Sequence, residues 1–182
     1  MEIFIVGLYS YFLGSIPFGL IYAKLAGLGD VRNIGSGNIG ATNVLRTGNK
    51  QVAALTLLCD IAKGSLAVFI TLNFFPKLIL LSSVVVYLGH IFPVWLKFKG
   101  GKGVATFIGA IAILNYVLSL IFLISWAIVA KIFKISSLSA IVAFLITFVA
   151  TVFLYENDLI LVMSFFTVFS IFTHRENIKK II

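Results

Sequence analysis

Long apolar runs leave this chain few ways to fold. They lie at residues 3–25, 53–75, 78–96, 104–133, 138–154 and 160–173. About 20 apolar residues in helical form cross a hydrocarbon layer. A backbone in hydrocarbon must satisfy its own N–H and C=O groups, which a run of this kind does as an α-helix. The fold class expected is therefore all-α: a polytopic integral membrane helical bundle. Charged residues make up only 11% of the chain and the mean hydropathy is +1.15. A soluble domain carries roughly a quarter charged residues, so that class is excluded.

The run at 104–133 is too long for one simple crossing and short for two. Basic residues favour the cytoplasmic side of a membrane protein. With one crossing there, giving six, the basic tail at Arg175, Lys179 and Lys180 faces away from Lys97, Lys99 and Lys102. Splitting the run at Asn115-Tyr116 gives seven transmembrane helices. The inner side then carries Lys24, Arg32, Arg46, Lys50, Lys97, Lys99, Lys102, Lys131, Lys134, Arg175, Lys179 and Lys180, which is all but two of the 14 basic residues. Lys63 lies inside a crossing and Lys77 at an outer turn, while Glu2, Glu156 and Asp158 fall outside. Seven crossings are expected, with the N-terminus outside and the C-terminus cytoplasmic. The fourth, 104–114, is short: at 1.5 Å per residue it reaches about half of a ~30 Å core.

Spans this closely spaced leave no room for a separate soluble module, so residues 1–182 are expected to form a single membrane domain. Glu2 stands where a cleaved signal would carry positive charge. The single cysteine, Cys59, permits no intrachain disulfide. The formal net charge of +8 flanks membrane segments, which points to anionic lipid or an anionic substrate rather than nucleic acid.

The polar residues gather on the expected inner side. The stretch GHIFPVWLKFKGGKGVAT at 89–106 holds three lysines and three glycines within seven residues. Glycines let a backbone approach a ligand, and lysines add positive charge, so Gly100, Gly101, Lys102 and Gly103 form a candidate phosphate nest ahead of a helix N-terminus. The alternative is a basic membrane-edge loop that only fixes topology. The stretch is no P-loop, because Leu96 stands where the first glycine belongs and Gly103 follows the lysine. The first inner loop, GSGNIGATNVLR at 35–46, offers Ser36, Gly37, Asn38, Thr42 and Asn43 as small polar groups, and Arg46 as a planar fork for phosphate. It also reads as a turn leading into a helix capped by Thr42 or Asn43.

Asp60 and Lys63 lie three apart on one face of a crossing, where ionisable groups pair or line a site. Gly64 beside them allows close helix contact. His90 is either a hydrogen-bonded strut or a proton-transfer group, and Pro93 is expected to kink its helix. Ser137 can cap the helix it precedes. His174, Arg175 and Asn177 close the chain as a solvated tail or as part of an anion site. The outer turns carry little of this kind. No nucleophile-elbow pattern, metal-ligand spacing or His-x4-Asp acyltransferase motif is present.

Three motifs carry a resemblance that covers essentially the whole chain: GSGNIGATNVLR at 35–46, GHIFPVWLKFKGGKGVAT at 89–106 and HRENI at 174–178. CDIAKG at 59–64 and SLS at 137–139 add to it. The chain resembles the bacterial membrane acyl-phosphate:glycerol-3-phosphate acyltransferase family. That family often continues past HRxNI with a Gly and a Glu, whereas this sequence stops at Ile182.

The resemblance implies transfer of an acyl group from acyl phosphate to the 1-hydroxyl of glycerol 3-phosphate. The products are lysophosphatidate and inorganic phosphate, in the first acylation of bacterial phospholipid synthesis. It implies no cofactor or metal, and a plasma (inner) membrane enzyme whose active site faces the cytoplasm. It assigns Ser36, Asn38, Thr42, Asn43, Ser137, His174 and Asn177 to the polar ends of the substrates. Arg46, Lys102 and the Gly100–Gly103 amides can neutralise two phosphates, with His90 or a substrate phosphate oxygen taking the proton. A transporter of phosphorylated solutes is the competing class, but such proteins usually show internal repeats, and the motif-bearing segments here do not resemble one another.

Overall fold

A computed structural model of the protein describes residues 1–180. Among them the regular structure is entirely helical. The first crossing is built from α1 (Glu2–Ser15) and α2 (Phe18–Leu25). They are separated at Ile16-Pro17, because proline lacks the N–H that would continue the ladder. A polar loop containing α3 (Ala41–Val44) leads to α4 (Lys50–Phe74). Asn49 caps α4, its Oδ1 accepting from the N–H of Val52 at 3.0 Å.

Next come α5 (Ile79–Ile91), α6 (Val104–Leu114), α7 (Tyr116–Phe133), α8 (Ser136–Leu154), α9 (Asn157–Thr173) and the single turn α10 (Arg175–Ile178). The expected break at Asn115 is present. Its Oδ1 caps α7 by accepting from the N–H of Leu118 at 3.1 Å, and it also receives the hydroxyl of Tyr155 at 3.2 Å. Five segments are long and apolar enough to cross a membrane: Glu2–Leu25, Lys50–Phe74, Pro76–Leu96, Tyr116–Phe133 and Ser136–Leu154. Val104–Leu114 and Asn157–Thr173 are shorter apolar helices.

Two sequence expectations change. Pro93 does not kink a continuing helix; it ends one. α5 stops at Ile91, and a separate 3-10 turn, Val94–Leu96, follows. Ser137 does not cap α8. The helix already starts at Ser136, and Ile135 occupies the cap position without a side-chain bond.

The chain forms two compact units, 1–110 and 111–182. In the first, α1 and α5 lie close because both present glycines. A Cβ on Gly14 would fall on the Val86 carbonyl, and one on Gly89 would fall on the Tyr11 carbonyl. Small residues allow such approach between membrane helices, where packing and interhelical hydrogen bonds replace a hydrophobic driving force. Ser10 and Ser82 share a hydrogen bond of 2.9 Å across this contact, and Tyr9 bonds Thr71 of α4. Gly64 and Gly109 bring α4 equally close to the start of α6, where Ser65 donates to the Gly109 carbonyl at 2.9 Å.

In the second unit, α8 packs against both α7 and α9. Phe122 and Phe144 meet edge to face at 4.9 Å. The buried hydroxyls of Thr147, Thr151 and Thr167 each bond a carbonyl one turn back, which satisfies those three groups within their own helices.

Gly14→Val tests the α1–α5 contact. The valine must displace backbone, and overpacking of this kind costs on the order of 1–3 kcal/mol. Thermal unfolding in detergent should show a clear loss. Gly7→Val is the control, since a Cβ there meets nothing within 4 Å. Equal midpoints for the two variants would refute the close-packing account.

Candidate functional site

The first unit brings two of the motif segments onto one core. Leu20, Ala23, Val31, Ile39, Val44 and Ala53 are buried together. Leu28, Val52 and Leu96 pack against that cluster. The loop at 30–49 therefore rests on α2 and α4, and Leu96 ties the start of the lysine–glycine segment to the same cluster. Gly19 permits this: a Cβ there would meet the Ile39 carbonyl.

Asn43 organises the first loop. Only 2% of it is exposed. Its Oδ1 accepts from the N–H of Ser36 at 2.9 Å, the Ser36 hydroxyl at 3.2 Å and Arg46 Nη1 at 3.4 Å. Its Nδ2 donates to the carbonyls of Val31 at 2.7 Å and Asn38 at 2.8 Å. These bonds fill the capacity of a primary amide. Asn43 is thus the internal brace of the loop, not a helix cap as one sequence reading had it, and Thr42 does not cap either. Gly40 holds the cap position of α3, with no side-chain bond.

Asn38 Oδ1 closes a turn on the N–H of Gly40 at 2.9 Å. Gly35 has φ +56° and no room for a side chain beside Arg46 and Asn43; Gly37 has φ +68°. Both sit where glycine is the natural occupant. With the brace in place, Ser36 and Arg46 stand on the exposed side of the loop. Nearby, Asp30 accepts from the backbone N–H of Arg32 at 3.0 Å and from its guanidinium at 2.5 Å. The side-chain hydrogen bond from Arg32, then the backbone bond, hold the Asp30 carboxyl down at about 2.

The lysine–glycine segment folds back on the end of α5. The N–H of Gly100 donates to the Ile91 carbonyl at 3.0 Å and that of Gly101 to the His90 carbonyl at 3.1 Å. These two amides, expected to be available to an anion, are committed to the protein itself. Lys97 and Phe98 adopt left-handed backbone, φ 52° and 62°, as the chain reverses. Gly103, at φ +86°, lies against the Tyr87 ring, and α6 starts immediately after it. Lys102 is partly buried in this turn, and the other lysines, Lys97 and Lys99, are exposed.

A further polar group lies beneath. Lys63 Nζ is 2.8 Å from Asp60 Oδ1 and donates to the Ile16 carbonyl at 2.8 Å. His90 Nδ1 lies 3.7 Å from the same Asp60 oxygen. The sequence paired Asp60 with Lys63; it gave no signal that His90 joins them, because the pairing depends on how α4 and α5 pack.

In the second unit, α10 packs on α8 and α9. The start of α8, with Ser136, Ser137 and Ser139, therefore lies at the same end as His174 and Asn177. His174 is 2% exposed, and its Nδ1 lies 2.8 Å from the Ser170 carbonyl. A carbonyl only accepts, so Nδ1 carries the hydrogen in this bond. Asn177 takes its place in α10 through its backbone N–H, which donates to the His174 carbonyl at 2.8 Å.

Comparison with known proteins agrees across the chain. Residues 4–182 match the family model described as glycerol-3-phosphate acyltransferase. The glycerol-3-phosphate acyltransferase of Pelagibacter ubique (strain HTCC1062) is 49% identical over 182 residues, covering all of this chain and 94% of that one. The one from Sinorhizobium medicae (strain WSM419) is 51% identical over 173 residues, covering 95% and 85%. Among solved structures, the chain is similar to PlsY (YgiH), an integral membrane glycerol 3-phosphate acyltransferase. The glycerol 3-phosphate form gives a TM-score of 0.93 at 33% identity, covering all of this chain and 92% of that one. The lysophosphatidic acid form gives 0.91 at 31%. Sequence, helical architecture and motif placement lead to one assignment: this chain belongs to the glycerol-3-phosphate acyltransferase family of integral membrane proteins.

Proposed function

We propose that this protein transfers the acyl group of an acyl phosphate to the 1-hydroxyl of glycerol 3-phosphate. The products are lysophosphatidate and inorganic phosphate, and the step is the first acylation of bacterial phospholipid synthesis. The observation that supports the reading is the shared apolar core on which the loop holding Ser36–Arg46 and Leu96, at the start of the lysine–glycine segment, both rest, so that the two motif segments belong to one unit. The similar PlsY structures hold glycerol 3-phosphate or lysophosphatidic acid, and both molecules fit this reaction as acceptor and product.

In the step itself the hydroxyl oxygen attacks the acyl carbonyl carbon and the bond from that carbon to the phosphate oxygen breaks. The electron pair leaves with phosphate. Arg46 and Lys102 neutralise the two phosphates so that they can approach. Ser36, Asn38 and Thr42 serve the polar ends of the substrates in the first unit, and Ser137, His174 and Asn177 in the second. Asn43 and Gly37 shape the loop that offers Ser36 and Arg46. The proton of the attacking hydroxyl passes to an oxygen of the substrate phosphate. His90 is a poor acceptor, since its Nε2 edge faces the backbone of Gly101 and a general base must reach the proton it removes.

The reading includes a topology. Residues 1–182 work as one domain in the bacterial inner membrane, with seven crossings, the N-terminus outside, and the C-terminus and reacting groups on the cytoplasmic side. The placement of twelve basic residues on that side supports it.

Purified protein supplied with acyl phosphate and labelled glycerol 3-phosphate should yield labelled lysophosphatidate. Solute flux without acylated product would favour a transporter instead. Arg46→Ala and Lys102→Ala should each lower kcat/KM at least ~100-fold, the scale for removing one preorganised charge-stabilising donor. Wild-type turnover in either variant removes that residue from the mechanism. Asn43→Ala should reduce activity strongly and also lower the unfolding temperature, because it leaves the Val31 and Asn38 carbonyls and the Ser36 N–H without their partner, a cost of about 1–3 kcal/mol. In vesicles, single cysteines at positions 46, 102 and 180 in a Cys59→Ser background should label from the same side, with position 156 labelling from the other.

A further inference from the structure

Asp60, Lys63 and His90 form a buried polar cluster that the proposed chemistry does not use. Their side chains are only 2–4% exposed. Ionisable groups placed inside a membrane bundle are costly, so their retention needs a task. Lys63 is fully engaged. It pairs with Asp60 at 2.8 Å and donates to the Ile16 carbonyl at 2.8 Å, the group left open where Pro17 ends α1. It also lies 5.7 Å from the centre of the Phe18 ring. Asp60 is thereby fixed, and its Oδ1 faces His90 Nδ1 at 3.7 Å.

The opposite edge of the His90 ring meets the lysine–glycine loop. A Cβ on Gly101 would overlap Nε2, and a Cβ on Gly100 would overlap the His90 carbonyl. The same carbonyl accepts the N–H of Gly101 at 3.1 Å. The imidazole thus lies between Asp60, 3.7 Å from Nδ1 and in charge contact without a hydrogen bond, and Gly101 on the other edge, one residue from Lys102.

We propose that Asp60, Lys63 and His90 are positioning residues for Lys102. The ion pair fixes the imidazole, and the imidazole is the seat on which Gly101 sets the height of the lysine. This rests on the acyltransferase reading above and adds to it a reason for a charge pair and a histidine buried inside the helical unit.

The test uses the full chain in detergent micelles with acyl phosphate and glycerol 3-phosphate, and compares H90A, G101A, G101A/H90A and D60N. H90A should raise KM for at least one substrate about tenfold or more, since displacement of a binding group by an ångström has effects of this order, while the pH profile of kcat keeps its shape. G101A should be impaired because its methyl strikes the ring. Removing the ring makes room, so G101A/H90A should recover at least ~threefold over G101A, the non-additivity expected of groups in contact. D60N should shift KM in the same direction as H90A.

Limited trypsin digestion gives a readout independent of turnover. H90A and D60N should be cut faster after Lys97, Lys99 or Lys102 than wild type. If D60N fails to fold, D60N/K63M removes both charges and takes its place; if H90A fails, H90N does. A double variant no better than the product of its single effects, or unchanged loop cleavage, overturns the seat. Unchanged KM values with loss of the acid limb of the kcat profile would make His90 a base instead. Inactive wild type would sink the acyltransferase reading, while the digestion arm still decides the seat.

Discussion

Every interruption of a helix inside hydrocarbon exposes carbonyls that water cannot reach, and this protein is arranged around answering them. Pro17 ends α1, and the Ile16 carbonyl takes the ammonium of Lys63. Pro93 follows the end of α5, and the Phe92 carbonyl takes the hydroxyl of Tyr11 at 2.7 Å. The Ile91 and His90 carbonyls take the amides of Gly100 and Gly101. Each donor comes from another element, so each break also fastens two parts of the first unit together. The breaks let the chain turn at the polar end of the unit, and their repair makes that turn rigid.

The glycines serve two physical purposes that look alike in a sequence. Gly35, Gly37 and Gly103 have positive φ, where other residues are strained. Gly14, Gly64, Gly89 and Gly109 are ordinary helical residues whose missing Cβ lets a neighbouring backbone come close. Gly100 and Gly101 belong with the second kind. The sequence treated them as a nest for an anion, whereas their amides serve α5 and their bare faces accept Pro93 and His90. The conformational glycines sit in the loops, and the packing glycines set how near those loops' supports can lie.

What was legible in the chain follows from this. Helical class, the break at Asn115 and the segments rich in chemistry could be read directly, because apolar length and polar interruption are local properties. Pro17 was also visible, yet an apolar run hides it, since hydropathy does not register a missing N–H. The consequence of Pro93 is not local, because ending a helix and kinking it differ only in what the following residues find to bond. The polarity of Asn43 is plain in the sequence, but its role as a brace depends on partners at Val31, Ser36, Asn38 and Arg46. His90 beside Asp60 depends on the packing of two helices and had no signature in spacing.

In the proposed reaction the protein supplies position and positive charge, and the substrates supply the rest. An acyl phosphate, the mixed anhydride of a carboxylic acid and phosphate, carries its own leaving group and, once that group begins to depart, its own proton acceptor. Side chains fitted to such a reaction are donors and cations, and those on the first loop and the lysine–glycine segment are of this kind: Ser36, Arg46 and Lys102. The carboxylates described nearby are engaged elsewhere, Asp30 with Arg32 and Asp60 with Lys63. An ionised carboxylate facing the phosphates would repel the ligands that Arg46 and Lys102 attract. Tying Asp60 into a buried pair keeps its charge compensated, and the same pair steadies the ring on which the lysine loop rests.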